Sequence, residues 1–205
     1  MVSVQGTRLS RRQEAMTAVP DRASERPASA LDLRALVERA KLSDRDAWEV
    51  LYRRAYPGLM AFASRRIDAE QARDAVAETM ARAVARIDRF EWRDGGFDGW
   101  LFGILRHVIA DLYRAKARAA RKGPERAAVP VDGPLDHVLR TEEVAAIRAA
   151  FSALDARDRE VLELRVIAGL SCEEAAAALG KRPGALRMTQ SRAIARLRRR
   201  LEELT

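Results

Sequence analysis

Cysteine is almost absent. The single Cys172 excludes an internal disulfide and any cysteine-rich zinc site. The two histidines, His107 and His137, lie far apart, and no nucleophile–base motif or metal cluster is legible around them. The expectation is no enzyme, no metal and no cofactor. Aromatic residues make up only 5% of the chain, and no segment alternates apolar and polar residues as a half-buried strand would. No uncharged apolar run reaches membrane-spanning length, so no membrane insertion is expected. The first thirty residues hold arginines but no apolar h-region, so no signal peptide is expected and the cytoplasm is the default location.

What is present is helix-forming and basic. Ala, Arg, Leu and Glu dominate the 205 residues, and 48% of residues are apolar, enough for real cores. A formal charge of +8 points to an anionic partner, nucleic acid or an acidic membrane face, unless the arginines only reflect composition bias.

Residues 1–30 are polar, rich in Ser, Arg and Pro, and read as a disordered tail. Helical periodicity starts near Leu31. Ser43 with Asp46 is expected to cap a helix whose apolar face is Trp48, Leu51, Tyr52 and Ala55, and Pro57 is expected to break or kink it. Asp68 is expected to cap a long helix through about Ile87, with Ala72, Ala75, Val76, Thr79, Met80, Ala83, Val84 and Ile87 buried. After "DRFEWRDGG" another long helix starts near Phe97. Residues 119–136, with three prolines, have linker composition and would reach roughly 65 Å if extended. Asp155 is expected to cap a helix ending at Gly169, and Ser171 with Glu174 forms a capping box for the next.

From Lys181 to Arg200 the chain carries Lys181, Arg182, Arg187, Arg192, Arg196, Arg198, Arg199 and Arg200 and no acid. Like charges on one helix repel, so an external anion should offset them. Gly180 suits a left-handed C-cap and Pro183 a helix start, which together read as a helix-turn-helix. The second helix would project Arg187, Met188, Ser191 and Arg192 into a major groove, with Arg196, Arg198 and Arg199 downstream on phosphates. A plain helical bundle with a solvated arginine face is the alternative.

The stretch "FSALDARDREVLELRVIAGLSCEEAAAALGKRPGALRMTQSRAIARLRRRL" resembles region four of bacterial sigma factors. "DAWEVLYRRAYPGLMAFASRRIDAEQARDAVAETMARAVARIDRFEWRDGGFDGWLFGILRHVIADLYR" resembles their region two. The order, with a linker and no room for region three, is similar to the extracytoplasmic-function (ECF) group of the sigma-70 family. The resemblance implies an all-α fold of two small helical domains, region two over residues 31–118 and region four over 137–205, joined by a flexible linker at 119–136. It implies a protein that binds the beta-prime clamp and beta flap of core RNA polymerase, recognises minus-ten and minus-thirty-five elements in duplex and single-stranded promoter DNA, and answers to an anti-sigma factor.

By position, Asp74, Glu78 and Thr79 match the family's polymerase-binding helix, where Ala77 and Met80 depart from a usual glutamine and aromatic. Trp92, Arg93, Trp100, Arg106, His107 and Arg114 match the minus-ten surface, since unstacked bases need aromatic faces and neighbouring cations. Phe97 and Leu101 are expected in the core. Arg187, Met188, Ser191 and Arg192 match the minus-thirty-five readers, with Arg196, Arg198 and Arg199 as further DNA contacts. Ala175 and Ala178 replace bulkier family residues, which predicts thin packing there. The rival readings are a helix-turn-helix regulator that binds duplex DNA without polymerase and, more remotely, a nucleic-acid-modifying enzyme. Cys172 is expected to be a small packed residue rather than a redox switch.

Overall fold

A computed structural model describes residues 30–120 and 142–203, all helix and turn with no strand among them. The expected tail, and the linker beyond Ala120, lie outside the described residues. Eight α-helices follow in order: α1 Ala30–Lys41, α2 Arg45–Ala63, α3 Ala69–Arg86, α4 Gly96–Ala120, α5 Glu142–Ser152, α6 Ala156–Leu162, α7 Cys172–Ala178 and α8 Pro183–Glu202.

Helices α1 to α4 form an N-terminal bundle. Leu51, Leu59, Phe62, Val76, Phe97, Leu101 and Leu105 fill its core, so Phe97 and Leu101 are core residues as expected. The chain turns from α1 into α2 at Ser43, whose φ of 63° is left-handed. The cap of α2 is therefore Asp44, one residue later than expected, with its carboxylate accepting from the amides of Asp46 and Ala47. Pro57 does not end α2. Buried residues on both sides of it, Leu51 and Ala55 before and Leu59, Phe62 and Ala63 after, hold the two halves against one core. Asp68 caps α3 through the Gln71 amide. The helix closes in a 3-10 turn at Ile87–Arg89. Val84, expected inside, lies at the edge of the buried stripe and is 52% exposed.

Helices α5 to α8 form the C-terminal part. Asp155 caps α6 through the Asp158 amide. From Glu163 to Ile167 the helix widens into a π turn, which the sequence does not announce. Ser171 and Glu174 close the expected capping box. Gly180, at φ 61°, ends α7 with Gly180 N–H donating to Ala177 and Lys181 N–H to Ala176, the Schellman pattern. Pro183 sits in the first turn of α8. Leu186 and Ala193 are buried beneath that helix.

The two parts share one hydrophobic core. Val161, Leu164, Ala168, Leu170, Ala175, Ala176, Ala178 and Leu186 belong to the same buried cluster as the N-terminal bundle. Ala175 and Ala178 are thus fully packed rather than loosely so. Their small side chains let α7 lie close to α4.

Candidate nucleic-acid and polymerase interfaces

Three surfaces hold the candidate residues. On α3, Asp74 and Glu78 are exposed one turn apart. Glu78 receives Arg82 at 2.7 Å, and Arg82 also reaches Asp111 of α4 at 3.4 Å. Thr79 must be corrected: it is 0% exposed, and its hydroxyl donates to the Ala75 carbonyl at 2.7 Å. It packs the bundle and has no surface to offer a partner. Of the three candidate residues, Asp74 and Glu78 are the exposed ones.

The second surface surrounds the loop before α4. Phe90 is buried and anchors an aromatic group, with Trp92 5.1 Å away edge-on, Trp100 at 5.1 Å and Phe97 at 5.7 Å. Trp92 is half-buried. Its indole N–H donates to Glu38 at 3.3 Å, and the Arg34 guanidinium stands 4.9 Å from its ring centre. Trp100 is half-buried as well. Arg93 is 83% exposed and pairs with exposed Glu91 at 2.9 Å. Gly96 makes the turn into α4 at φ 54°, a left-handed conformation. Exposed His107 meets the Gly103 carbonyl through Nδ1 at 2.7 Å. A carbonyl only accepts, so Nδ1 carries the proton and Nε2 faces outward. Arg114 is exposed and rests on Asp111 at 2.8 Å.

Arg106 lies on α4 but is not open to solvent like its neighbours. It donates to Glu160 at 2.9 Å and to the Ala178 carbonyl at 2.7 Å, both in the C-terminal part. Nothing in the sequence signals those partners.

The third surface is α8. Arg187, Met188, Ser191 and Arg192 are all exposed on its first turns, Met188 at 56%. Arg187 is tethered by Glu173 of α7 at 2.7 Å. Arg199 is exposed and Arg198 half-buried. Arg196 has acidic partners within the chain that local sequence does not signal. It pairs with Asp155 at 3.2 Å and, closer, with the nearly buried Asp158, so it ties α8 to the start of α6. Cys172 approaches the Pro183 carbonyl at 3.5 Å, and burial with Glu173 nearby pushes its thiol pKa up, away from a reactive thiolate. Among the described residues no group of ligands could hold a metal ion, and no helix is long and apolar enough to cross a membrane.

Comparison with known proteins decides the family. The family model described as Sigma-70 region 2 matches residues 51–119, and that described as Sigma-70, region 4 matches residues 145–197. ECF RNA polymerase sigma factor SigD of Mycobacterium tuberculosis (strain ATCC 25618 / H37Rv) is 32% identical over 175 residues, covering 81% of this chain and 82% of that protein. The chain belongs to the ECF sigma factors. It directs promoter-specific initiation by RNA polymerase. ECF sigma factor ShbA of Streptomyces griseus is 31% identical over 185 residues, covering 82% of this sigma factor and 95% of ShbA. Among solved structures, CnrH in complex with the cytosolic domain of CnrY superposes at a TM-score of 0.60 with 31% identity, covering 83% of this chain and 97% of that one. RpoE of Bartonella quintana, in complex with the anti-sigma factor NepR, gives a TM-score of 0.57 with 30% identity, covering 76% and 94%.

Proposed function

We propose a division of labour among the three surfaces. Asp74 and Glu78 meet the beta-prime clamp of core RNA polymerase, and the C-terminal helices meet the beta flap. Trp92, Arg93, Trp100, Arg106, His107 and Arg114 hold the non-template strand of the melted minus-ten element, aromatic faces taking bases and cations tracking the backbone. Arg187, Met188, Ser191 and Arg192 enter the major groove of the minus-thirty-five element, where an arginine can grip guanine O6 and N7. Arg198 and Arg199 serve phosphates, and Arg196 shares that role with its brace on Asp158. The sigma factor catalyses nothing itself and acts in the cytoplasm. An anti-sigma factor regulates it, a reading supported by the similar sigma factor RpoE solved with the anti-sigma factor NepR.

The observation that carries this reading is the presence on one chain of both matched regions, with a basic helix exposing Arg187, Met188, Ser191 and Arg192 at the second position of a helix-turn-helix. A duplex-only regulator would use that helix but leave the region-two aromatics and the acidic pair without a task.

Two experiments test it. Arg187→Ala and Arg192→Ala should each weaken holoenzyme binding to a promoter by about 1–3 kcal/mol and relax base preference at one position. Replacing Arg198 and Arg199 should flatten the salt dependence and leave the preference intact. An Arg187→Ala protein unchanged in affinity and preference contradicts the docking of α8. Separately, reversing charge at Asp74 and Glu78 together should weaken core binding about tenfold or more, roughly 1.4 kcal/mol, while helix content is retained. Normal assembly by the folded double variant contradicts the clamp assignment.

A further inference from the structure

Arg187 is held from the helix before its own. Its Nη2 donates at 2.7 Å to Oε1 of Glu173, which stands in the first turn of α7. The register brings the two together. Glu174 is engaged in the capping box with Ser171, and its neighbour Glu173 reaches across to α8. Leu186, 0% exposed, fixes the rotation of α8, and Arg187 follows it roughly 100° round the helix. The Cys172 thiol donates to the Pro183 carbonyl at 3.5 Å and closes the same pair of helix starts. The Glu173 and Arg187 side chains are 40% and 63% exposed, and a pair so open to water contributes little to stability. Nor does it use up the guanidinium. Arginine has five N–H donors, guanine accepts two of them through O6 and N7, and Glu173 takes one.

We propose that Glu173 is a positioning residue for minus-thirty-five recognition, holding the Arg187 guanidinium ready for a guanine and keeping it off the phosphates. The proposal rests on the docking of α8 given above. Two effects act together. An arginine held in advance loses less side-chain freedom when it meets its base. The Glu173 carboxylate also repels phosphate, so a misplaced register with Arg187 on the backbone is disfavoured on every sequence. Phosphate contacts position a protein and base contacts specify the site. Glu173 therefore raises the selectivity of α8 rather than its affinity. The charge of the helix makes that restraint matter. Eight basic residues and no acid between Lys181 and Arg200 would otherwise grip any duplex.

The test uses the holoenzyme on labelled duplexes, a promoter it uses with single-base variants and an unrelated sequence of equal length, across a salt series. Arg187→Ala first marks the base that Arg187 reads, as the position where preference flattens. Glu173→Ala should lower discrimination at that base about two- to tenfold, the range for one side chain immobilised only on binding. Discrimination at the base that Arg192→Ala marks should not change. Affinity for the unrelated duplex should rise, and its salt slope should steepen by about one as Arg187 gains a phosphate. Glu173→Gln, whose amide oxygen still accepts from Arg187, should restore most of the discrimination and none of the repulsion. Glu173→Asp, one methylene shorter, should do the reverse, and it decides if Glu173→Ala loses helix content. Unchanged discrimination without the Glu173 carboxylate overturns the proposal. So does an equal loss at the Arg192 base, which would make Glu173 a brace between the two helices. An Arg187→Ala holoenzyme with unchanged preference overturns instead the docking of α8, and it is measured before Glu173 is changed.

Discussion

Arg54→Met should lower the stability of the N-terminal bundle by about 3–5 kcal/mol, the usual cost of removing one partner of a buried ion pair. Arg54 on α2 holds Asp98 on α4 through two bonds of 2.6 Å, and the Asp98 side chain is 3% exposed. Burial opposes the charge of Arg54, and Asp98, with Glu174 beyond it, more than offsets that, so its pKa lies above the ordinary value. Methionine fills much of the volume but leaves the carboxylate inside without its cation. Domains hold only about 5–15 kcal/mol in reserve, so the loss should show as a large fall in urea midpoint. Arg54→Lys keeps the charge without the planar fork and should fall between. Asp98 stands in the first turn of α4, directly after the loop bearing Trp92 and Arg93. Losing its anchor should loosen that loop, and promoter opening should fail at temperatures where the wild type works. An Arg54→Met protein as stable as the wild type would show that the pair contributes nothing net.

The second large effect concerns melting. Replacing Trp92 and Arg93 by alanine should leave core binding intact and impair promoter opening. An extruded base costs a few kcal/mol of unstacking, which the capturing surface must supply, and an aromatic platform supplies about 1–3 kcal/mol per base. The structure adds a condition to this argument. Trp92 is already occupied, packed on Phe90 with Arg34 and Glu38 against it. A base must stack on what remains open of the ring, or Arg34 must yield. A promoter pre-melted at the minus-ten segment should recover much of the lost activity, since the duplex no longer needs opening. Permanganate reactivity of unpaired thymines and transcript yield from both templates measure this. Wild-type opening in the double variant would show that the loop captures no base.

Much of this was legible in the sequence because it is local. Ser171 and Glu174, Gly180, Pro183 and Asp155 act within a turn or two of their own positions, and each performs the expected cap or turn. The misses come from packing. Pro57 stays inside a helix because residues on both sides share a core, and Val84 is exposed because it lies at the edge of the stripe that Ala72, Ala75, Val76, Thr79 and Ala83 bury. Thr79 fits the apolar stripe better than the polymerase face. The partners of Arg54, Arg106 and Glu163 lie on other helices, 44 residues away for Arg54 and 54 for Arg106, and no periodicity reports such pairs. One signal was available. Gly95, just before α4, and Gly99 and Gly103 within it recur every four residues, and the first two face the alanine-rich α7. That spacing marks a face where another backbone can come close, as it does at Gly95 and Gly99.

The most direct test of the central claim is to add the protein to core RNA polymerase on fragmented genomic DNA and map transcript 5′ ends. Discrete starts absent with core alone should appear, preceded by shared minus-ten and minus-thirty-five sequences at constant spacing, and should be lost with Trp92→Ala/Arg93→Ala. No starts beyond those of core alone, from a folded protein that binds duplex DNA without polymerase, would contradict it.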